Sequence, residues 1–219
     1  MKEKNLFIIG DVHGCYFTFK KIISHWNPET EFLIQVGDLI DRGNFSRQVI
    51  QLCRELENRY PNQTCFLMGN HEWMALSYFF SKDEFSWLKK FGRKILWDYE
   101  LNELKIEDDI NWLKKLKTSW ENNAVFISHA GITNSLFALD PVSNQGLIWN
   151  KMPLKKLLKV QVHGHKPILG QEPIFTIDSN SWNIDTGACY KNGMTALRLD
   201  NSGNKIDFLF LRTEEIDIK

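Results

Sequence analysis

The sequence lacks any apolar run long enough to cross a membrane. No stretch of its 219 residues approaches the ~20 consecutive apolar residues that a transmembrane helix requires. The opening MKEKNLFIIGDVHG is charged and then runs into a predicted strand, without the apolar segment and small-residue cleavage site of a signal peptide. We therefore expect a cytoplasmic protein with no membrane partner.

An excess of charge of either sign is also absent. Lys and Arg together number 27, Asp and Glu together number 27, and the formal net charge is zero. A neutral chain carries no global field that would draw it to nucleic acid. We therefore expect no nucleic-acid partner, although a local positive site is compatible with this balance.

Cysteine is sparse, and the four residues are scattered at Cys15, Cys53, Cys65 and Cys189. No two of them have the C-x-x-C spacing of a zinc knuckle or a redox motif. We expect reduced thiols that are partly buried.

The first third of the chain alternates strand and helix patterns. The apolar runs NLFIIG, EFLIQVGD and QTCFLMGN are typical of buried strands. The segments between them, CYFTFKKIISHW and FSRQVIQLCRELENRY, have the apolar spacing of amphipathic helices. Three such units predict a largely parallel, buried sheet.

The rest of the chain divides into a helical region and a strand-rich region. Five of the eight tryptophans fall between Trp73 and Trp120, and residues 73–119 predict a cap of two to four helices within a single domain spanning 1–219. Later segments predict strands, and the turns KNG and NSGN suggest hairpins and antiparallel strands completing a second sheet. The predicted class is α/β (α+β by some schemes), a central β-sandwich flanked by helices.

Five predicted strands each end in side chains that can bind a metal. These side chains are Asp11 and His13 in GDVHG, Asp38 in GDLIDRG, Asn70 in GNHE, His129 in HAG, and His163 and His165 in HGHKP. Any one alone is explained as a turn residue, a helix cap or a core histidine, but together they lie where αβ folds place their active sites. The set contains two carboxylates, an amide and several imidazoles, which is more ligands than one closed metal site needs. It suits two metal ions that share one carboxylate.

The motifs GDVHG, GDLIDRG, GNHE, HAG and GHKP, in that order, resemble the PPP-type metallophosphatases of the calcineurin-like superfamily. The chain is most similar to the short bacterial and phage serine/threonine protein phosphatases, of the bacteriophage lambda type. WNK at Trp149–Lys151 and NIDTGACY at Asn183–Tyr190 also resemble motifs of that subgroup. The resemblance spans about Phe7 to Leu199 and implies the calcineurin-like metallophosphoesterase fold.

The resemblance also implies a ligand set for two divalent metal ions. Asp11, His13 and Asp38 would hold one ion, and Asp38, Asn70, His129 and His165 would hold the other. His163 lies two positions before His165 on the predicted strand and would share its face, as an outer group or a competing ligand. Manganese is the metal that the resemblance most suggests, with iron, zinc or nickel as alternatives. Two such ions acidify a bridging water to hydroxide for in-line attack on phosphorus.

Four further residues acquire roles through the resemblance. His71 resembles the general acid that protonates the leaving alkoxide, and Asp41 would pair with it. Arg42 would bind a phosphate oxygen, and Lys151 stands where the subgroup usually has a second phosphate-binding arginine. We interpret Glu72, next to His71, as an acidic residue in the first turn of a helix.

The function implied is that of a metal-dependent phosphomonoesterase, a protein serine/threonine phosphatase acting on a phosphoprotein or a small phosphate ester. A symmetric diadenosine tetraphosphate hydrolase is the main alternative, and GNHE rather than the GNHD of many such hydrolases weakly favours the phosphatase. A non-catalytic scaffold on this fold would require lost ligands or a lost acid, and every ligand position and His71 are present.

Overall fold

The computed structural model describes residues 4–81 and 85–218. Its first sheet contains five strands in the order β10-β9-β1-β2-β3. These strands are β1 (Asn5–Ile9), β2 (Glu31–Gln35), β3 (Thr64–Phe66), β9 (Gly193–Leu199) and β10 (Lys205–Arg212). Strands β1, β2 and β3 are parallel, and helices α1 (Tyr16–Ile23) and α2 (Ser46–Arg59) connect them, as the sequence predicts.

The second sheet has the strand order β4-β5-β6-β8-β7. Its strands are β4 (Ser119–Glu121), β5 (Val125–Ser128), β6 (Val160–His163), β7 (Ile174–Thr176) and β8 (Ser181–Asn183). Strands β5, β6 and β8 are parallel, and the edge strands β4 and β7 are antiparallel to their neighbours. The antiparallel β9–β10 pair lies in the first sheet beside β1, so the prediction that the strands next to the KNG and NSGN turns finish a second sheet is wrong.

Only one of the two predicted hairpin turns joins paired strands. NSGN, at residues 201–204, connects the antiparallel strands β9 and β10. KNG follows a 3-10 turn at Ala188–Tyr190 and leads from β8 in one sheet to β9 in the other. The hairpin interpretation of KNG is therefore wrong, because a turn sequence does not specify which strand its chain will pair with.

The two sheets pack face to face, which confirms the predicted β-sandwich. Leu6 and Ile8 of β1 lie in one buried cluster with Ile127 of β5 and Val162 of β6. The alternate β1 residues Phe7 and Ile9 belong to a separate cluster with the helices. This division follows from the two-residue alternation of a strand that is buried on both faces.

The region predicted to be a helical cap contains α3 (Asn70–Ser81), α4 (Phe85–Trp87), a π-helical segment (Leu88–Gly92), α5 (Arg93–Leu101) and α6 (Glu107–Leu113). The π-helical segment places Gly92 against the indole of Trp87, where a Cβ would lie 2.5 Å from a ring carbon. Residues 82–84 of this region lie outside the described residues. Among the helices described, none is long and apolar enough to span a bilayer.

Candidate active site

Side chains following strands of both sheets meet at one edge of the sandwich. Asp38 and Asn70 follow β2 and β3 of the first sheet, and His129 follows β5 of the second. The Nε2 atom of His129 lies 3.1 Å from Asn70 Oδ1 and 3.4 Å from Asp38 Oδ2. The site is therefore assembled across the interface between the sheets, at the carboxyl ends of their parallel strands.

One group of potential ligands consists of Asn70, His129 and His165. His165 Nδ1 lies 3.1 Å from both His129 Nε2 and Asn70 Oδ1. The opposite ring nitrogens, His129 Nδ1 and His165 Nε2, are buried without a hydrogen-bond partner among the described residues. Neither ring is therefore held through its opposite nitrogen. The amide oxygen of Asn70 and the two imidazole nitrogens face one another, an arrangement that suits a divalent cation.

A second group lies on the other side of Asp38. His13 Nε2 is 3.4 Å from Asp38 Oδ2, and His13 Nδ1 donates to the Ile40 carbonyl at 3.0 Å. That hydrogen bond directs Nε2 toward Asp38, and burial lowers the pKa of His13 to about 3, which keeps the ring neutral. Burial opposes ionisation of Asp38, but His129 and His71 hold its pKa well below the usual range. One Asp38 oxygen is thus shared by His13 and His129.

Asp11 lies beside this arrangement and faces the loop after β6. Its two carboxylate oxygens accept the His165 backbone N–H at 3.3 and 3.2 Å. Gly164 packs so closely that a Cβ there would lie 1.9 Å from Asp11 Oδ1. Burial and the nearby Asp185 carboxylate raise the pKa of Asp11 well above its usual value. The Asp11 carboxylate and the second sheet are therefore in direct contact.

Asp185 is a buried acid at this edge that the sequence analysis did not single out. It follows β8 in NIDTG, accepts the Gly187 N–H at 3.0 Å and lines the cavity above the ligands. Burial raises its pKa to about 6. The signal that finds the other site residues, a polar side chain just after a buried strand, also applies to Asp185.

His163 does not share a face with His165, contrary to the sequence prediction. Strand β6 ends at His163, and His165 has a left-handed φ of 69°, so the alternation of a strand does not extend between them. His163 Nδ1 donates to the Gly164 carbonyl at 3.1 Å, and the ring lies outside both ligand groups. Burial lowers the pKa of His163 to about 4.

Several site residues have backbone conformations that are rare for residues with a Cβ. Positive φ values occur at His13 (46°), Asp38 (57°), Asp41 (71°), Arg42 (65°) and His165 (69°). Left-handed backbone at a non-glycine residue costs on the order of 1 kcal/mol or more and persists only where the surroundings enforce it. The contacts that hold these loops are consequently part of the site.

Glu72 supplies the strongest of these contacts. Its buried carboxylate accepts four backbone N–H groups, those of Asp38, Leu39, Ile40 and Gly69, at 2.8 to 3.2 Å. The interpretation of Glu72 as a first-turn acid is correct for its position in α3 but misses this role. Burial and Asp38 raise its pKa to about 7. Glu72 therefore fixes the loop that carries Asp38.

His71 and Asp41 form a close pair beside the ligands. Asp41 Oδ2 accepts the His71 Nδ1–H at 2.6 Å, and Trp87 Nε1–H donates to both Asp41 oxygens at 3.1 Å. Burial opposes protonation of His71, but Asp38 and Asp41 raise its pKa. Trp87 comes from the helical region, and nothing in its sequence context indicates that its indole would reach Asp41.

Arg42 lies at the mouth of the site with its guanidinium against Tyr190. It donates to the Tyr190 hydroxyl, its carbon lies 5.2 Å from the Tyr190 ring centroid, and Nη2 lies 3.4 Å from His71 Nε2. Cys189 Sγ is 3.7 Å from Nη1. Lys151 lines the same cavity of about 360 Å³. Among the described residues, the lysine and arginine side chains that line this cavity are thus the two predicted phosphate-binding residues, Arg42 and Lys151, and Lys166.

A larger cavity of about 480 Å³ lies elsewhere, between α2, β3 and the segment before β4. Phe32, Trp112 and Trp120 form its apolar walls, and none of the residues in the two ligand groups lines it. The smaller cavity, rather than this one, carries the convergent titratable groups that mark an active site.

At the strand ends of the β-sandwich, ligand-type atoms of Asp38, His129 and His165 lie within 4.8 Å of one another and could hold a metal ion. The sequence model of the calcineurin-like phosphoesterase family matches residues 4–210, and the chain belongs to that family. Membership in this family indicates a phosphoesterase hydrolase that depends on metal ions. The groups of potential metal ligands around Asp38 are consistent with that dependence.

Solved structures with the same fold differ widely in described activity. A putative diadenosine tetraphosphatase has 17% identity and a TM-score of 0.65, covering 98% of this chain and 96% of that one. A Saccharomyces cerevisiae serine/threonine phosphatase similar to human PP5 has 14% identity, a TM-score of 0.68 and coverages of 98% and 81%. A cold-active protein tyrosine phosphatase from a psychrophilic Shewanella has 17% identity, a TM-score of 0.66 and coverages of 96% and 81%. These likenesses establish the fold.

Proposed function

We propose that this protein is a metal-dependent phosphomonoesterase that acts on phosphoserine and phosphothreonine in proteins. The observation that carries the proposal is the His71–Asp41 pair, joined at 2.6 Å next to the ligand groups. A seryl or threonyl alkoxide is a poor leaving group and needs a proton in the transition state. An enzyme for such esters requires an acid held in this position.

The proposed ligands are those that the resemblance implies. Asp11, His13 and Asp38 hold one divalent cation, and Asp38, Asn70, His129 and His165 hold the second, with manganese as the proposed metal. When bound, two divalent cations supply an activated water and neutralise charge on the phosphate oxygens. The hydrogen bond from His13 Nδ1 to Ile40 and the four backbone hydrogen bonds to Glu72 keep the ligand loops in place.

His71 is the proposed general acid, because its Nδ1–H is held by Asp41 and its ring lines the cavity. Its Nε2 lies 3.4 Å from Arg42 Nη2 and 3.9 Å from Asp38 Oδ2. The carboxylates of Asp38 and Asp41 favour the imidazolium, so a proton is available at Nε2 for the departing oxygen. Arg42 and Lys151 are proposed to bind the phosphate oxygens. Arginine offers a planar pair of donors, and lysine offers a single point charge.

The helices α3–α6 are proposed to cap the cleft of a single domain. The start of α3 reaches the 360 Å³ cavity directly, because Asn70 and His71 line it. Phe91 of the π-helical segment packs on the His71 ring, with 4.9 Å between the ring centroids.

A substrate panel tests the proposal on enzyme reconstituted with manganese. It contains a phosphoserine peptide, p-nitrophenyl phosphate and diadenosine tetraphosphate, the last because one structure of the same fold is described as a putative diadenosine tetraphosphatase. We expect inorganic phosphate from both monoesters and a preference for the peptide over the dinucleotide. Efficient release of ADP from the dinucleotide with little peptide turnover would overturn the proposal in favour of the alternative hydrolase.

A further inference from the structure

The C-terminal segment, residues 213–218, contacts the start of α1, the loop that carries Arg42 and the 3-10 turn against which the Arg42 side chain lies. We infer that this segment, called here the C-terminal strap, positions Arg42 for phosphate binding, and that Asp217 is its anchoring residue. The inference rests on the proposed role of Arg42 as a phosphate-binding residue. It assigns a positioning function to a segment beyond the last catalytic motif.

The first contact is at the start of α1, directly after the GDVHG loop. Asp217 is fully buried, and its Oδ1 accepts the Phe17 N–H at 3.0 Å. Its Oδ2 accepts both the N–H and the hydroxyl of Thr18, at 2.9 and 2.7 Å. Cys15, the residue preceding α1, makes no side-chain cap, so a carboxylate about 200 positions away satisfies the free donors of this helix.

The second contact is with the loop that carries Arg42. Asn44, two residues after Arg42, donates its backbone N–H to the Asp217 carbonyl at 2.8 Å and its amide Nδ2–H to the Ile216 carbonyl at 2.8 Å. The backbone of Arg42 is left-handed, with a φ of 65°. A conformation of this kind persists only when its neighbours are held, and these two hydrogen bonds hold the loop from its carboxyl side.

The third contact is with the 3-10 turn at Ala188–Tyr190. Thr213 donates its hydroxyl to the Ala188 carbonyl at 2.7 Å. The two residues that follow, Cys189 and Tyr190, are those that touch the Arg42 guanidinium. The strap therefore holds Arg42 twice, once through its own backbone loop and once through the turn against which its side chain lies.

The strap also contains a matched control. Glu214 forms an ion pair with Lys21 at 2.9 Å, and 60% of the Lys21 side chain and 41% of the Glu214 side chain are exposed. Exposed pairs contribute little. Glu214→Gln removes this charge but keeps the Glu214 backbone N–H, which donates to Thr18 Oγ1 at 2.9 Å. This variant changes the strap without changing the three contacts.

The main test compares Asp217→Ala with the wild type and Glu214→Gln in the full-length, manganese-loaded protein. Binding of inorganic phosphate is measured by calorimetry, together with kcat and KM for p-nitrophenyl phosphate, metal content and Tm. We expect Asp217→Ala to raise the phosphate Kd and KM about 10-fold, the effect of weakening one charge-assisted contact to phosphate. Metal content and kcat should change much less, and Glu214→Gln should match the wild type.

A double-mutant cycle separates positioning from general stabilisation. If the strap acts through Arg42, Asp217→Ala should raise the phosphate Kd only slightly further when Arg42→Ala is already present. An equal increase in both backgrounds, or a lower Tm with an unchanged phosphate Kd, would overturn the inference. Phosphate binding needs no turnover, so this result stands apart from the substrate panel.

A milder variant covers the case in which Asp217→Ala does not fold. Thr213→Val removes only the hydroxyl that donates to Ala188, and it keeps a similar side-chain volume. We expect a roughly two- to threefold increase in the phosphate Kd from this change. One neutral hydrogen bond is lost, and its effect reaches Arg42 only indirectly, through the turn. An unchanged Kd would overturn the contribution of the third contact and the inference with it.

Discussion

Replacing Asp41 by asparagine should separate leaving-group chemistry from metal binding. The carboxylate of Asp41 receives N–H donors from His71 at Oδ2 and from Trp87 at both oxygens. Asparagine has a single, uncharged acceptor oxygen. Placed at the Oδ2 position, that oxygen still accepts from both His71 and Trp87, but the negative charge that favours the His71 imidazolium is gone. Asp41 is 1% exposed, so water does not compensate for the lost charge.

The size of the effect follows from the charge that the acceptor of the His71 hydrogen bond loses. The bond is charge-assisted and 2.6 Å long, and such bonds contribute about 1.5–3 kcal/mol. A loss of this size corresponds to a roughly 10- to 100-fold change in a protonation equilibrium. The pKa of His71 is raised in the wild type by Asp38 and Asp41, so removing one carboxylate lowers it.

The sign of the pH effect is fixed by the role of the acid. A general acid must be protonated to act, so its pKa sets the alkaline limb of the rate profile. In Asp41→Asn that limb should move to lower pH for a phosphoserine peptide. At a pH above the limb the peptide rate should fall roughly 10- to 100-fold. The rate on p-nitrophenyl phosphate should fall much less, because p-nitrophenolate leaves without a proton.

The assay measures kcat/KM against pH for both substrates in the wild type, Asp41→Asn and His71→Asn, with metal content determined on each sample. His71→Asn marks the full loss of the acid, expected to be about 10²–10⁴-fold on the peptide. An alkaline limb that does not move in Asp41→Asn, or equal losses on both substrates with two metals bound, would refute the acid assignment of His71.

Removal of metal by a chelator should abolish activity. Asp38→Ala should lose more bound metal, measured by elemental analysis, than any other substitution of a proposed ligand, since Asp38 Oδ2 faces both His13 and His129. Glu72→Gln should destabilise the fold by about 2–5 kcal/mol in urea denaturation, because one side-chain end can no longer accept its two backbone donors. Burial lowers the pKa of His163 to about 4 in the folded protein, from 6.5 in the unfolded chain. The contribution of His163 to folding stability is therefore full above pH 6.5 and is lost as the pH falls toward 4. His163→Gln should flatten that dependence in chelated protein, and an unchanged slope between pH 7 and 5 would contradict this.

The ligand motifs are predictable from the sequence because each is a local pattern. A buried strand followed within a few residues by Asp, Asn or His places that side chain at the carboxyl edge of a parallel sheet. The grouping of Asn70, His129 and His165 follows from this rule together with the resemblance, and their facing atoms lie 3.1 Å apart. The pairing of His71 with Asp41, at 2.6 Å, is implied by the resemblance alone.

The features that the sequence does not predict depend on long-range contacts. The alternation within β9 is the same whichever sheet it joins, so its pairing with β1 is not encoded locally. Asp217 and Thr18 are 199 positions apart. Strand β4 has only three residues, too few for a periodic signal. His163 differs from His165 because the strand ends between them, and strand boundaries are the least regular part of a pattern.

The division of the site between two sheets has a consequence for the lifetime of the protein. The proposed ligands Asp38 and Asn70 follow strands of one sheet, and His129 and His165 follow strands of the other. Cations bound there would join the two layers, so the sheets could not separate without releasing them. Ligands that bind only the folded state add about 4 kcal/mol of stability at a free concentration 1,000 times Kd. The supply of metal would then determine how well the protein resists proteolysis. Metal depletion would lead to degradation of the protein as well as to loss of its activity.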